Sequence, residues 1–244
     1  MTETDTAAAV EKNNAPDGSP YAVLCELEGA VMSVRQAEYE ALRSLVGESK
    51  NELTPGLYAR YCVNRSPEAY LPDLIDVLGL RKSVSGGLVQ EIQSGLAMFV
   101  SSPEAALSPL VAPLLAAAVQ REMPVVFLTS LKEATVRALL ERWGGPYAGA
   151  AIFVNDRTDH VAPTADVWMR MAKSRSRTSR QCVALVGSHC SSKSALSAGM
   201  RCIAVPDAFT ASEDFGGCDA VLEAGSEWDP QELLGLVAPE ESFI

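Results

Sequence analysis

The sequence has no apolar stretch long enough to cross a membrane. The longest candidate, Leu107 to Val119, is 13 residues with two prolines, against about 20 needed for a transmembrane helix. Its six cysteines (Cys25, Cys62, Cys182, Cys190, Cys202, Cys218) contain no Cys-x-x-Cys pair and no zinc-like spacing. They read as free thiols of a reducing compartment, which predicts a cytoplasmic protein. The first 20 residues lack both an apolar segment and an Arg-rich amphipathic pattern, so neither a signal peptide nor a transit peptide is visible there. Met1 to Pro20 is expected to be a disordered tail. Positive charge is also scarce, with 20 Lys and Arg against 31 Asp and Glu, a net −11. That balance argues against nucleic acid or an anionic membrane as partner, since both are gripped by clustered basic residues.

What the chain does have is enough apolar material, 48% of 244 residues, to bury a sizeable core. Short apolar runs bounded by turns predict strands at 21–25, 124–128, 150–154, 182–186, 201–205 and 220–222. Helical spacing predicts helices over 109–120, 131–143, 191–198 and 230–237, and several more between Val34 and about Phe99. Nearly continuous apolar strands that alternate with helices predict an α/β fold, a doubly wound parallel sheet covered on both faces. The helical block after the first strand then reads as an inserted all-helical cap over 34–106. The core comprises 21–33 and 107–244.

From Val167 to Pro206 there are seven basic residues and no acid. If the segment after Trp168 is helical, Arg170, Lys173, Arg177 and Arg180 share one face. Like charges on one face repel, so the face is either solvated or used by an acidic protein partner.

In an open parallel sheet, ligands bind at the carboxyl ends of the strands near the switch in strand order. The residues there are Glu26-Leu27-Glu28-Gly29 after the first strand, Thr129-Ser130 after the second, Ala162-Pro163-Thr164-Ala165-Asp166 after the third and Gly187-Ser188-His189 after the fourth. Together with Ala198-Gly199-Met200 and Asp219-Ala220-Val221-Leu222, this order resembles the haloacid dehalogenase superfamily. The likeness is to its phosphoglycolate-phosphatase and phosphoglucomutase-like members with a helical cap, and it spans Tyr21 to Val237.

The resemblance implies phosphoryl transfer by an aspartate nucleophile, with a second aspartate as acid/base, a Thr or Ser and a Lys on the phosphate, and an acid for Mg²⁺. Here the nucleophile position is Glu26 and the acid/base position Glu28, each longer by one methylene. Thr129 and Ser130 stand where phosphate is bound. Ala162 replaces the lysine and Ser188 the metal-binding acid, while Arg157 and His160 offer the nearest substitute cations in the third loop. With these changes, catalytic motifs are degenerate and no cofactor is expected. The leading expectation is a non-catalytic ligand-binding or protein-interaction module, with a small phosphorylated ligand among its possible partners. The alternative is a divergent Mg²⁺-dependent phosphatase acting on a small phosphorylated metabolite through Glu26 and Glu28. A new hydrolase built on Ser188, His189 and Cys190 has no support, because catalytic partners meet in space and not in sequence.

Overall fold

The structure, a computed structural model, describes residues 18–32, 34–46, 53–80, 85–155 and 162–239. Arg157, His160 and nearly all of the N-terminal segment expected to be a tail lie outside them.

Six strands form one parallel sheet: β1 Ala22–Glu26, β2 Val125–Thr129, β3 Ala151–Val154, β4 Cys182–Val186, β5 Arg201–Ala204 and β6 Ala220–Val221. Their order is β3-β2-β1-β4-β5-β6. Every residue of β1, β2 and β4 is buried, which is why these strands read as unbroken apolar runs and not as alternating ones. The chain winds outward from β1 through β2 to β3, then returns to the other side of β1 with β4. This reversal puts the switch point between β1 and β4, where Cys25 pairs with Leu185. Glu26, at the very end of β1, is paired with Leu128 on the other side.

Helices α5 Ala112–Gln120, α6 Glu133–Trp143 and α9 Pro230–Val237 cover one face of the sheet around Val23, Cys25, Phe127 and Leu185. On the other face, α7 Ala165–Ser174 and α8 His189–Ser197 pack Trp168, Met171 and Ala195 against Leu24, Ala184 and Cys202. The two clusters make the three-layer arrangement expected of a parallel sheet.

Helices α1 Val34–Leu45, α2 Pro55–Tyr61, α3 Pro67–Val77 and α4 Ser85–Ser101 gather around an apolar cluster of their own, with Leu42, Tyr58, Tyr70, Leu74 and Ile92 at its centre. One residue of that cluster comes from elsewhere. Phe209, on the loop after β5, packs its ring 5.3 Å from Tyr39 and 4.7 Å from Tyr58, so a core loop is buried in the helical unit. Aromatic pairs at such separations contribute about 0.5–1.5 kcal/mol beyond their area.

The expected single basic face does not form. Helix α7 stops at Ser174, Ser176 has φ 55°, and Ser179–Gln181 is a separate short helical turn. Arg177 and Arg180 therefore do not continue the face of Arg170 and Lys173. Nor is the segment without acidic neighbours, because Asp166 lies one turn before Arg170 and pairs with it at 3.0 Å. Arg177 donates to the carbonyl of Ser19 at 2.7 Å. Two of the four charges are thus engaged inside the chain, while Lys173 and Arg180 are exposed.

Candidate functional site

Immediately after β1 the chain makes a single wide helical turn, Leu27–Val31. Such π-type turns are rare and collect at functional sites. This one lifts Glu28 and Gly29 over the carboxyl end of the sheet. Gly187, after β4, lies directly against it: a Cβ on Gly187 would stand 1.6 Å from the carbonyl oxygen of Gly29, and one on Gly29 would stand 2.5 Å from the Glu26 carboxyl carbon. Gly187 is required by close approach of the Gly29 backbone and Gly29 by the Glu26 side chain folded against it, which fits the two loops flanking the switch point into each other.

Glu26 is buried and its longer side chain reaches across this junction. The Gly187 N–H donates to Oε2 at 2.9 Å and the Ser191 hydroxyl donates to Oε1 at 2.8 Å. Ser188 is fully buried. Its hydroxyl donates to that of Ser191 at 3.1 Å and accepts the Ser191 N–H at 3.3 Å, as the N-cap of α8. Helix α8 consequently starts at His189, earlier than the apolar pattern indicated, because serine is a favoured N-cap whose hydroxyl satisfies a first-turn N–H.

Glu28 turns the other way. One oxygen, Oε1, accepts three hydrogen bonds, from the Thr129 hydroxyl at 2.8 Å, the Ser130 N–H at 2.8 Å and the Ser130 hydroxyl at 3.0 Å. Part of the residue remains at the surface, but loss of water around the carboxyl group raises its pKa above 4.5, against the pull of those three donors. Glu26 and Glu28, Thr129 and Ser130, and Ser188 are therefore brought together at the strand ends. Ala162 stands at the edge of the described loop before α7, without a polar side chain to offer.

Other polar groups that sequence reasoning missed complete the site. Arg35, 8% exposed at the start of α1, donates one nitrogen to the Gly29 carbonyl at 2.9 Å and to Asp207 at 2.8 Å. Burial lowers its pKa, but Asp207 and Glu26 outweigh that and raise it overall, so the guanidinium stays charged. Glu38 accepts from the hydroxyls of Tyr58 and Tyr70, both at 2.7 Å, and burial raises its pKa. Glu213, from the loop after β5, accepts the His189 N–H at 2.6 Å, so the acid beside the β4 loop comes from the next loop along. Asn155, at the end of β3 and 6% exposed, has a buried Oδ1 without a hydrogen-bond partner. These contacts join residues up to 172 positions apart, and no local sequence signal marks them.

Between the sheet and the helical unit lies a cavity of about 80 Å³, lined by Glu26, Glu28 and Asn155 from below and by Arg35, Glu38 and Arg65 from above. It is about half the ~150 Å³ of an apolar cavity that admits benzene, and it opens partly to solvent.

A sheet in this order, with a helical unit inserted after β1 and acids at the end of β1, has clear parallels among solved structures. CbbY from Rhodobacter sphaeroides in complex with phosphate superimposes with TM-score 0.64 at 20% identity, over 88% of this chain and 98% of that one. The chain has the haloacid dehalogenase fold. A predicted phosphoglycolate phosphatase from Haemophilus somnus gives TM-score 0.65 at 11% identity, over 89% and 98%. β-Phosphoglucomutase from Clostridium difficile gives 0.60 at 14%, over 87% and 92%. In sequence, protein CbbY of Cereibacter sphaeroides is 30% identical over 139 residues, which is 56% of this chain and 60% of that protein's length. No protein-family model matches the chain. Among the described residues, no helix is long and apolar enough to cross a membrane.

Haloacid dehalogenase-type phosphatases use Mg²⁺, as the resemblance implies, and the residues present here fit it poorly. Each Glu26 oxygen already accepts a hydrogen bond, one from an N–H and one from an O–H, so a cation at this carboxylate would compete with both donors.

Proposed function

We propose that this haloacid dehalogenase-like protein has given up phosphoryl transfer and acts by binding a small ligand in the cavity between its core and its helical cap. The observation that supports this most is the state of the two acids. The nucleophile position is held by Gly187 and Ser191, and the acid/base position fills the Thr129 and Ser130 donor set where a substrate phosphate would be expected. An in-line attack needs the nucleophile within about 3–3.5 Å of phosphorus, and an error of 1 Å can cost about 10²-fold. Here both carboxylates are turned to other partners, and Ala162 supplies no charge for the transferring group. The unpartnered Asn155 Oδ1 favours a ligand with an O–H or N–H to donate, such as a hydroxylated metabolite.

A second reading, a divergent Mg²⁺-dependent phosphatase using Glu26 and Glu28, is favoured by the relatives. CbbY has been crystallised with phosphate and, in a mutant form, with xylulose-1,5-bisphosphate, and another structural neighbour is described as a predicted phosphoglycolate phosphatase. On that reading the metal and a phosphorylated substrate would displace the hydrogen bonds now made by the two acids. One sample separates the readings. Titration with a panel of sugar phosphates in the presence of Mg²⁺ is followed by heat for binding and by ³¹P NMR for phosphate release. Binding without release, weakened by Asn155→Ala, supports the first reading. Release that depends on Mg²⁺ supports the second.

A further inference from the structure

Two cysteines stand together outside the site. Cys202 is buried on β5, and Cys218 lies half-buried on the turn that leads into β6, with their sulfurs 3.5 Å apart. The backbone holds them there. Asp219 N–H donates to the Cys202 carbonyl at 2.8 Å, the Cys202 N–H donates to the Asp219 carboxylate at 2.8 Å, and Ile203 pairs with Ala220. Gly216 and Gly217 immediately precede Cys218, and Gly217 has φ 95°. A disulfide needs its sulfurs at about 2.05 Å, so roughly 1.5 Å of closure on the Cys218 side completes the bond, and the glycine turn is the part of the chain suited to supply it.

We propose that Cys202 and Cys218 form a redox modification site, a dithiol that a hydroperoxide converts to an intramolecular disulfide. The chemistry is divided between the two by their surroundings. Cys218 is partly exposed, and its pKa is lowered overall, first by the hydrogen bond it shares with Cys202 and then by Ser192 and Lys193, against burial and Asp219. It is therefore the thiolate that attacks peroxide. Its sulfur takes the terminal oxygen as the O–O bond breaks, the remaining oxygen leaves as alkoxide or hydroxide and collects a proton from water, and Cys218 becomes a sulfenic acid. Cys202, whose thiol is stabilised in the neutral form by its hydrogen-bonded partner and by burial, then attacks the sulfenyl sulfur. The S–S bond forms, the S–O bond breaks, and hydroxide leaves with the Cys202 proton as water. One hydroperoxide is reduced and two thiols are oxidised.

The other described cysteines are poor competitors. Cys25, Cys62 and Cys182 are buried, with burial raising their pKa values. Cys190 is exposed, but its pKa is raised too, with burial of the sulfur and Glu213 both contributing. The test exposes the full-length chain to one equivalent of hydrogen peroxide, followed by alkylation under denaturing conditions and peptide mass mapping without reductant. The expected product is a Cys202–Cys218 linked peptide with the other four thiols alkylated, formed equally by Cys190→Ser. In Cys202→Ser, dimedone should trap a sulfenic acid at Cys218. In Cys218→Ser, Cys202 should remain reduced at the same dose, and circular dichroism checks that each variant is folded. A first adduct at any other cysteine overturns the proposal, as does a Cys218 sulfenic acid that persists in the wild-type chain without forming the bridge.

Discussion

Replacing Glu28 by alanine tests whether this carboxylate stands where an anion would otherwise bind. In the wild-type chain its Oε1 takes three donors, two from Ser130 and one from Thr129. The substitution frees them. Hydrogen bonds to a charged acceptor contribute about 1.5–3 kcal/mol each, so three offer a bound phosphate roughly 4.5–9 kcal/mol gross. Immobilising a ligand costs at least about 4 kcal/mol, which leaves at best about 5 kcal/mol, a Kd of a few tenths of a millimolar, since ~1 mM corresponds to about −4.1 kcal/mol. Stability itself should change little. Thr129 is buried and loses a partner, at about 1 kcal/mol, but a carboxylate that the fold had partly desolvated is removed at the same time. The assay is a phosphate-dependent shift in Tm. At ten times Kd, binding adds about 1.4 kcal/mol, or roughly 3–6 °C for a chain of this size. Glu28→Ala should show that shift and wild type should not. Equal shifts in both, or none in either, would refute the idea that Glu28 blocks an anion cradle.

Gly187→Ala places a methyl group 1.6 Å from the Gly29 carbonyl oxygen, which only backbone movement relieves. The expected loss is about 3 kcal/mol or more, seen as a fall in Tm of roughly 6–12 °C; an unchanged Tm would show that the two loops are not fitted together. Glu38 is a carboxyl group whose pKa the fold raises above 4.5. Between its unfolded and folded pKa values the native state binds more protons than the unfolded one, so stability must fall as pH rises through that window. Denaturant titrations of wild type and Glu38→Gln from pH 4.5 upward should show a shallower decline in the variant, and parallel curves would remove Glu38 as the cause.

The sheet was largely legible because its central strands are buried on both faces and so appear as uninterrupted apolar runs, as in Val125–Thr129 and Cys182–Val186. Helix ends were less so. The run Lys173 to Arg180 contains neither glycine nor proline, so local pattern permitted a longer α7, and only the path into β4 stops it. At the site, the positions of Glu26, Glu28, Thr129 and Ser188 followed from strand ends, but their partners did not. A hydrogen bond from Thr129 to Glu28 spans 101 positions, and whether an added methylene preserves a carboxylate's reach or redirects it depends on which donors the fold sets beside it. The burial of Phe209 among the helices that follow β1 is of the same kind, a loop residue whose placement only the tertiary structure decides.

Hydrolysis of an aryl phosphate, measured with and without Mg²⁺ beside a Glu26→Ala control, tests most directly whether the strand-end acids still perform phosphoryl transfer. With Glu26 held by Gly187 and Ser191, and with Ala162 and Ser188 where the resemblance implies a lysine and a metal-binding acid, wild type and control should give the same background rate, unchanged by the metal. Turnover that requires Mg²⁺ and disappears in Glu26→Ala would contradict the account.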